Sequence, residues 1–233
     1  MKKLLRSFID LLYPHRCAIC DRTLIKDEYI CPFCKPKIKY PSGATCMKCS
    51  KPLPDENRLY CHDCSRKRSE YERGFAVFGY EQINESLYRF KYGGRPEYAR
   101  FYAASAWQRY GRVLASLGIE AYIPVPIHKK RFDKRGYNQA HEFAKCLSKY
   151  SGVQVVDDIV IRSKNTAPLK KLGADERQKN LKKAFKLTKN DVNFKKVCIV
   201  DDIYTTGATV NTMAGMLKSA GVEKVYFLSV AIR

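Results

Sequence analysis

The sequence predicts an α/β fold, a mostly parallel sheet flanked by helices, preceded by a small cysteine-rich unit. Three observations carry that prediction. Eight of the ten cysteines fall within the first 64 of 233 residues, all as Cys-x-x-Cys pairs. From about Tyr71 onward, short apolar runs alternate with helical patterns. One of those runs ends in two aspartates, followed by a small-residue turn that opens a helix. The expected division is therefore a cysteine-built part over 1–70 and a sheet part over 71–233.

In chain order, Met1–Leu12 presents Leu4, Leu5, Phe8, Leu11 and Leu12, interrupted by Arg6 and Asp10. That is too short for a membrane span and too charged for a secretion signal, so a short amphipathic helix packed on the body is expected. With no export signal the expected compartment is the cytoplasm, where cysteines stay reduced.

The cysteine pairs are Cys17/Cys20, Cys31/Cys34, Cys46/Cys49 and Cys61/Cys64, separated by 10, 11 and 11 residues. A Cys-x-x-Cys turn aims two sulfurs at one point, and two such turns complete a tetrahedral shell around zinc. One pair alone reads equally well as a redox motif, but four evenly spaced pairs point to two structural zinc ions. Cys17–Cys20 with Leu24 recurs 29 residues later as Cys46–Cys49 with Leu53, and Cys31–Cys34 recurs 30 residues later as Cys61–Cys64. A duplicated unit predicts sequential sites, pairs one and two on one metal and pairs three and four on the other. A crossed pairing stays open at this point, and disulfides would need an oxidising compartment. A segment of this size with few large aliphatics cannot bury enough surface to fold alone, so the metals are expected to be structural and closed to catalysis.

Beyond Tyr71, strands are expected at Gly74–Tyr80, Ala121–Pro126, Val153–Ile161, Val197–Val200 and Val222–Ile232. Helices are expected at Gln82–Lys91, Glu97–Ser116, Asn138–Tyr150 and Thr209–Ala220. The formal net charge of +21 is spread over both parts and favours polyanionic ligands, though it also serves solubility. Four-thiolate zinc centres, at about −2 each, would lower it by about four.

The informative stretch is Val197-Cys198-Ile199-Val200-Asp201-Asp202-Ile203-Tyr204-Thr205-Thr206-Gly207-Ala208-Thr209. Ligands of parallel sheets sit at the carboxyl ends of strands. Backbone amides at a small-residue turn and helix start cradle a phosphate. Two carboxylates beside such a site repel a bare phosphate but suit a ligand with hydroxyls next to it. The chain has no Gly-x-x-x-x-Gly-Lys-Ser/Thr loop and no Gly-x-Gly-x-x-Gly after a strand, which argues against ATPase and dinucleotide readings. An acidic turn that merely caps a helix is the bland alternative.

This segment resembles the phosphoribosyl-pyrophosphate signature of type I phosphoribosyltransferases. Further stretches are similar to the ComF family, phosphoribosyltransferase-like proteins linked to natural DNA uptake in bacteria. They are Leu11–Cys17, Phe90-Lys91-Tyr92-Gly93-Gly94, Ile123–His128, Lys130-Arg131, Arg135–Ala140 and the spaced Arg177, Asn180, Leu181, Ala184, Phe185. The family commonly has a glutamine soon after the position of Thr166; here the sequence reads Ala167-Pro168-Leu169-Lys170, so no role of that glutamine transfers.

The resemblance implies a type I phosphoribosyltransferase-like sheet behind a double zinc ribbon. It implies that Asp201 and Asp202 accept hydrogen bonds from ribose hydroxyls and that Thr205, Thr206, Gly207, Ala208 and Thr209 hold the 5-phosphate. Ile127, His128 and Lys129 would form the pyrophosphate loop, and magnesium would arrive with the ligand. Arg162–Lys186, with nine Lys/Arg against two acids and including Arg162 and Lys164, resembles a lid over substrate, or else is a solvated basic loop. Phosphoribosyl transfer to an acceptor the sequence does not identify is one expected function. A nucleic-acid-binding adaptor is the other, with single-stranded DNA and a helicase-like competence protein as partners.

Overall fold

The computed structural model describes residues 14–24, 28–164, 183–188 and 192–233. The helix expected over Met1–Leu12 and most of the Arg162–Lys186 lid lie outside them. Among the described residues no helix is long and apolar enough to cross a membrane.

The elements, in chain order, are α1 (His62–Arg66), β1 (Arg73–Gly79), α2 (Tyr80–Tyr92), α3 (Tyr98–Ser116), β2 (Ala121–Pro124) and α4 (Lys129–Arg135). There follow α5 (Gln139–Ser151), β3 (Gln154–Val155), β4 (Val160–Arg162), β5 (Phe185–Leu187), β6 (Lys196–Tyr204), α6 (Ala208–Ser219) and β7 (Lys224–Ile232). Five strands form one parallel sheet in the order β1-β7-β6-β2-β3. Both faces are buried, which is why β6 and β7 read as continuous apolar runs rather than as alternations. On one face Cys198 and Val200 meet Phe143 and Leu147 of α5 and Tyr102 of α3. On the other, Val197 and Ile199 meet Val210, Met213 and Leu217 of α6.

The helices form where the sequence supplies a stripe and a stop. In α2, Ile83, Ser86, Leu87 and Phe90 recur at helical spacing and are all buried. Asn138 caps α5 by accepting from the Ala140 amide at 3.0 Å, and Gly152 ends it in the left-handed conformation, φ 73°.

Two expectations need correction, and one helix has no counterpart among the expected elements. The strand expected over Val153–Ile161 is two: β3 joins the main sheet, whereas β4 pairs antiparallel with β5 in a separate ribbon. Asp157 and Asp158, exposed between them, break the run. The basic run after the Pro-Val-Pro strand is helical, α4, with His128 as its cap through Nδ1 and the Lys130 amide at 3.2 Å. And β6 does not end before the acids. It runs on to Tyr204, because β7 continues beside it and pairs Asp201 with Ser229, Ile203 with Ala231 and Tyr204 with Ile232.

Candidate functional site: two cysteine tetrads and the crevice between β6 and β2

The crossovers decide where a ligand can sit. The chain leaves β2 through α5 on one face of the sheet and leaves β6 through α6 on the other. β6 and β2 are neighbours whose connections depart in opposite directions, so a crevice opens beyond their carboxyl ends. β2 stays in register with β6 only as far as Pro124 opposite Val200. Past that point the β6 edge facing β2 is no longer paired with it, and Asp201 and Asp202 lie there. The segment Val125–Lys129 flanks the crevice on one side and Thr205–Thr209 on the other.

The loop after β6 has the shape the small residues predict. Gly207 is left-handed, φ 73°, and caps α6. A Cβ there would also collide with the Tyr204 ring, with Cζ 2.8 Å away, so glycine is needed twice over. Among the described residues, no acceptor within the chain takes the amides of Thr205, Thr206, Gly207, Ala208 or Thr209; the first amide bonded back is Asn211, to the Gly207 carbonyl at 2.8 Å. Thr205 and Thr206 are exposed. Five free donors thus gather at a helix N-terminus, where the helix dipole also favours an anion.

The carboxylates differ sharply. Asp202 is 5% exposed and forms an ion pair with Lys91, which reaches it from the end of α2. Burial opposes ionisation of Asp202, but the Lys91 ammonium offsets it and holds the carboxyl below its usual range. Burial likewise disfavours a charged Lys91, and Asp202 reverses that too, raising its pKa. Asp201 takes the Asp202 amide on Oδ1 at 2.8 Å. Burial pushes the Asp201 carboxyl well above the usual range, and the Asp202 charge adds to the effect. The Lys91 ammonium thus favours the charged form of Asp202, while burial and the Asp202 charge oppose that of Asp201.

The remaining expected residues divide. Arg162, on β4 with its guanidinium 5.4 Å over the Phe185 ring, lies within electrostatic reach of Asp201; burial and then the neighbouring Arg131 lower its pKa. Ile127 and His128 lie in the β2–α4 connection, with His128 as the helix cap, and Lys129 is the first residue of α4. Lys164 is exposed beyond β4, and among the described residues nothing joins it to the carboxylates. Lys91 had no role assigned from sequence. Its signal was present in the Phe90–Gly94 stretch, but only the fold brings α2 to β6.

The cysteines gather sequentially. Cys17, Cys20, Cys31 and Cys34 form one cluster and Cys46, Cys49, Cys61 and Cys64 the other, ligand atoms within 4.8 Å of one another. Zinc–sulfur bonds of about 2.3 Å at tetrahedral angles put sulfurs about 3.8 Å apart. Cys20 to Cys31 and Cys49 to Cys61 each measure 3.7 Å, far beyond a disulfide bond. The donor sets fit structural zinc.

Comparison with known proteins agrees. Residues 8–65 match the double zinc ribbon domain and residues 133–231 the phosphoribosyl transferase domain. Competence protein F of Haemophilus influenzae is 31% identical over 217 residues, 90% of this chain and 93% of that protein. Competence protein ComFC of Bacillus subtilis is 29% identical over 202 residues, 84% and 80% of the two chains. DNA utilization protein YhgH of Escherichia coli is 27% identical over 213 residues, 90% and 86%. A cysteine-built pair of ribbons, a parallel phosphoribosyl transferase sheet and relatives along almost the whole length place this chain in the ComF family of competence proteins.

Proposed function

We propose that the crevice between β6 and β2 binds phosphoribosyl pyrophosphate together with magnesium, in the cytoplasm, in the service of DNA uptake or nucleotide metabolism. One observation carries this reading: five amides at the start of α6, without an acceptor among the described residues, stand three to eight residues beyond two carboxylates on the same strand. An anion alone would need only the amides. A polyol alone would need only the acids. A sugar 5-phosphate needs both. In this reading Thr205–Thr209 hold the phosphate, and Asp201 and Asp202 accept from the ribose hydroxyls. Ile127–Lys129 face the pyrophosphate, and Arg162 adds positive charge near it. Magnesium suits the oxygen donors of the ligand and of Asp201, and it would supply neutralisation of the pyrophosphate charge. The chain is read as a ribbon pair over 1–70 serving a sugar-phosphate part over 71–233, and reduced, zinc-ready cysteines support a cytoplasmic setting.

Calorimetric titration with phosphoribosyl pyrophosphate and magnesium tests the reading. Binding is expected in the wild type, with at least a tenfold loss in Asp202→Asn; a wild type that gives no heat removes the reading. Assaying pyrophosphate release with nucleobase acceptors then separates a transferase from a ligand-sensing regulator.

A second reading, contact with single-stranded nucleic acid, rests on a different surface. Tyr88 and Tyr92 are each 65% exposed, their rings 5.2 Å apart, and the Arg135 guanidinium lies 5.3 Å over Tyr92. α4 adds the exposed Lys129, Lys130, Phe132 and Lys134. Aromatic faces interleaved with cations are what single strands stack on, and relatives named for competence and DNA utilization give the context. Such binding should weaken steeply with salt, survive Asp202→Asn and fail in Tyr88→Ala/Tyr92→Ala.

A further inference from the structure

Nothing in the sugar-phosphate reading uses Tyr71 or Tyr204, yet they lie between the loop and the second cysteine tetrad. Tyr204 ends β6, immediately before the loop. Its ring stacks on Phe227 at 4.6 Å and 2°, and Tyr71 meets the same ring edge-on at 4.9 Å and 88°. The two hydroxyls share a hydrogen bond of 2.9 Å, with Tyr71 2% and Tyr204 6% exposed. A pair of phenylalanines would pack as well. Buried hydroxyls cost free energy unless paired, and here each satisfies the other.

On the loop side, Gly207 lies flat against the Tyr204 phenol, leaving no room for a Cβ. On the metal side, Tyr71 shares a buried cluster with Cys46, Cys49 and Cys61, against which Cys64 packs, and the Lys48 ammonium sits 5.4 Å over the Tyr71 ring. The Cys46–Cys49 turn is tied to β1 by two bonds of 2.7 Å, the Gly74 amide to the Lys48 carbonyl and the Ser50 hydroxyl to the Gly74 carbonyl. Cys49, Tyr71, Tyr204, Val210 and Phe227 belong to one buried cluster.

We infer that Tyr71 and Tyr204 are positioning residues that join the second zinc site to the phosphate loop, so that metal held by Cys46, Cys49, Cys61 and Cys64 and a sugar phosphate held by Thr205–Thr209 strengthen each other. The inference rests on the sugar-phosphate reading of that loop. Coupling between two ligands is reciprocal, so it is readable from either side. Zinc release from the full chain into excess chromogenic chelator is the measurement, with and without phosphoribosyl pyrophosphate and excess magnesium. In the wild type the ligand should slow one of the two zinc ions by about fivefold or more and leave the other unchanged. The double variant Tyr71→Phe/Tyr204→Phe keeps both rings and removes both hydroxyls, leaving neither orphaned. It should retain two zinc ions per chain, release both at rates indifferent to ligand, and bind the ligand about fivefold more weakly. Tyr204→Phe alone should show the same loss and serves if the double variant does not fold. A purely structural role would lower Tm and leave the ligand effect on zinc release intact. Equal slowing in wild type and variants, or ligand heat with no slowing at all, overturns the inference alone. A wild type without binding heat overturns the parent reading and this inference with it.

Discussion

Asp21 and Ser50 occupy the same place in two copies of one turn. Each follows a Cys-x-x-Cys pair, and they are the two non-glycine residues with positive φ among those described, 61° and 63°. The bonds around them repeat as well. Cys17 to Arg22 is matched by Cys46 to Lys51, and Leu24 to His15 by Leu53 to Ala44. What each copy does with that residue differs. Asp21 takes Arg95 on both oxygens, at 2.9 and 3.2 Å, and the Tyr98 hydroxyl at 2.5 Å, a polar latch on the start of α3. Ser50 bonds the backbone of β1 itself. The first tetrad keeps a small cluster of its own with Leu24, whereas three cysteines of the second are part of the main core. Duplication supplied two metal knots. One is latched onto the body, and the other is built into it.

That contrast is most easily broken at the metals. Losing one ligand should unload one zinc from either tetrad, but Cys49→Ser should destabilise the fold more than Cys20→Ser, by several kcal/mol, because Cys49 is 1% exposed within the core. Zinc content and thermal unfolding on the two variants give the answer; equal losses would mean that both tetrads are merely latched.

Next in size is the Lys91–Asp202 pair. Lys91→Met strands a buried carboxylate and should cost about 3 kcal/mol near neutral pH. The sign follows from the shifts. Depressed Asp202 contributes stability that is present above the ordinary carboxylate pKa and lost as pH falls through its folded value. Raised Lys91 contributes stability that is present below the ordinary lysine pKa and lost as pH rises through its folded value. The penalty of Lys91→Met should therefore be widest between about pH 5 and pH 10 and shrink in acid. Urea unfolding across that range measures it, and a penalty independent of pH would contradict the pairing.

Asp201 runs the other way. Its raised pKa means that its native-state advantage is present in acid and lost as pH rises towards the folded value, so the ionised form is a burden at neutral pH. Asp201→Asn should raise stability by about 1 kcal/mol at pH 7, roughly 3 °C in Tm, while weakening ligand binding. The smallest effect belongs to the polar latch. Arg95→Ala, at a partly exposed pair, should cost about 1 kcal/mol or less, and high salt should shrink that cost.

The sequence made the local chemistry plain and left the long-range contacts hidden. Four evenly spaced cysteine pairs pointed to two metals, and their 29-residue echo favoured the sequential order that the folded clusters show, with a crossed pairing left open until then. The helix stripes and caps set α3, α5 and α6 within a residue or two. The end of β6 was misread because two aspartates look like a strand stop, and only pairing with Ser229 and Ala231 shows that they stay in the sheet. Lys91 was invisible as a partner because 111 residues separate it from Asp202. Tyr71 and Tyr204 were missed for the same reason: a contact 133 residues apart leaves no periodicity to read.

The central claim concerns five amides, and amide hydrogen exchange at Thr205–Thr209 tests it most directly. In the zinc-loaded protein these groups, which have no acceptor among the described residues, should exchange rapidly. Adding phosphoribosyl pyrophosphate with magnesium should slow them at least tenfold, with Asp202→Asn abolishing the protection. Unchanged exchange at saturating ligand would contradict the account, because the phosphate would then be held somewhere other than the loop that follows β6.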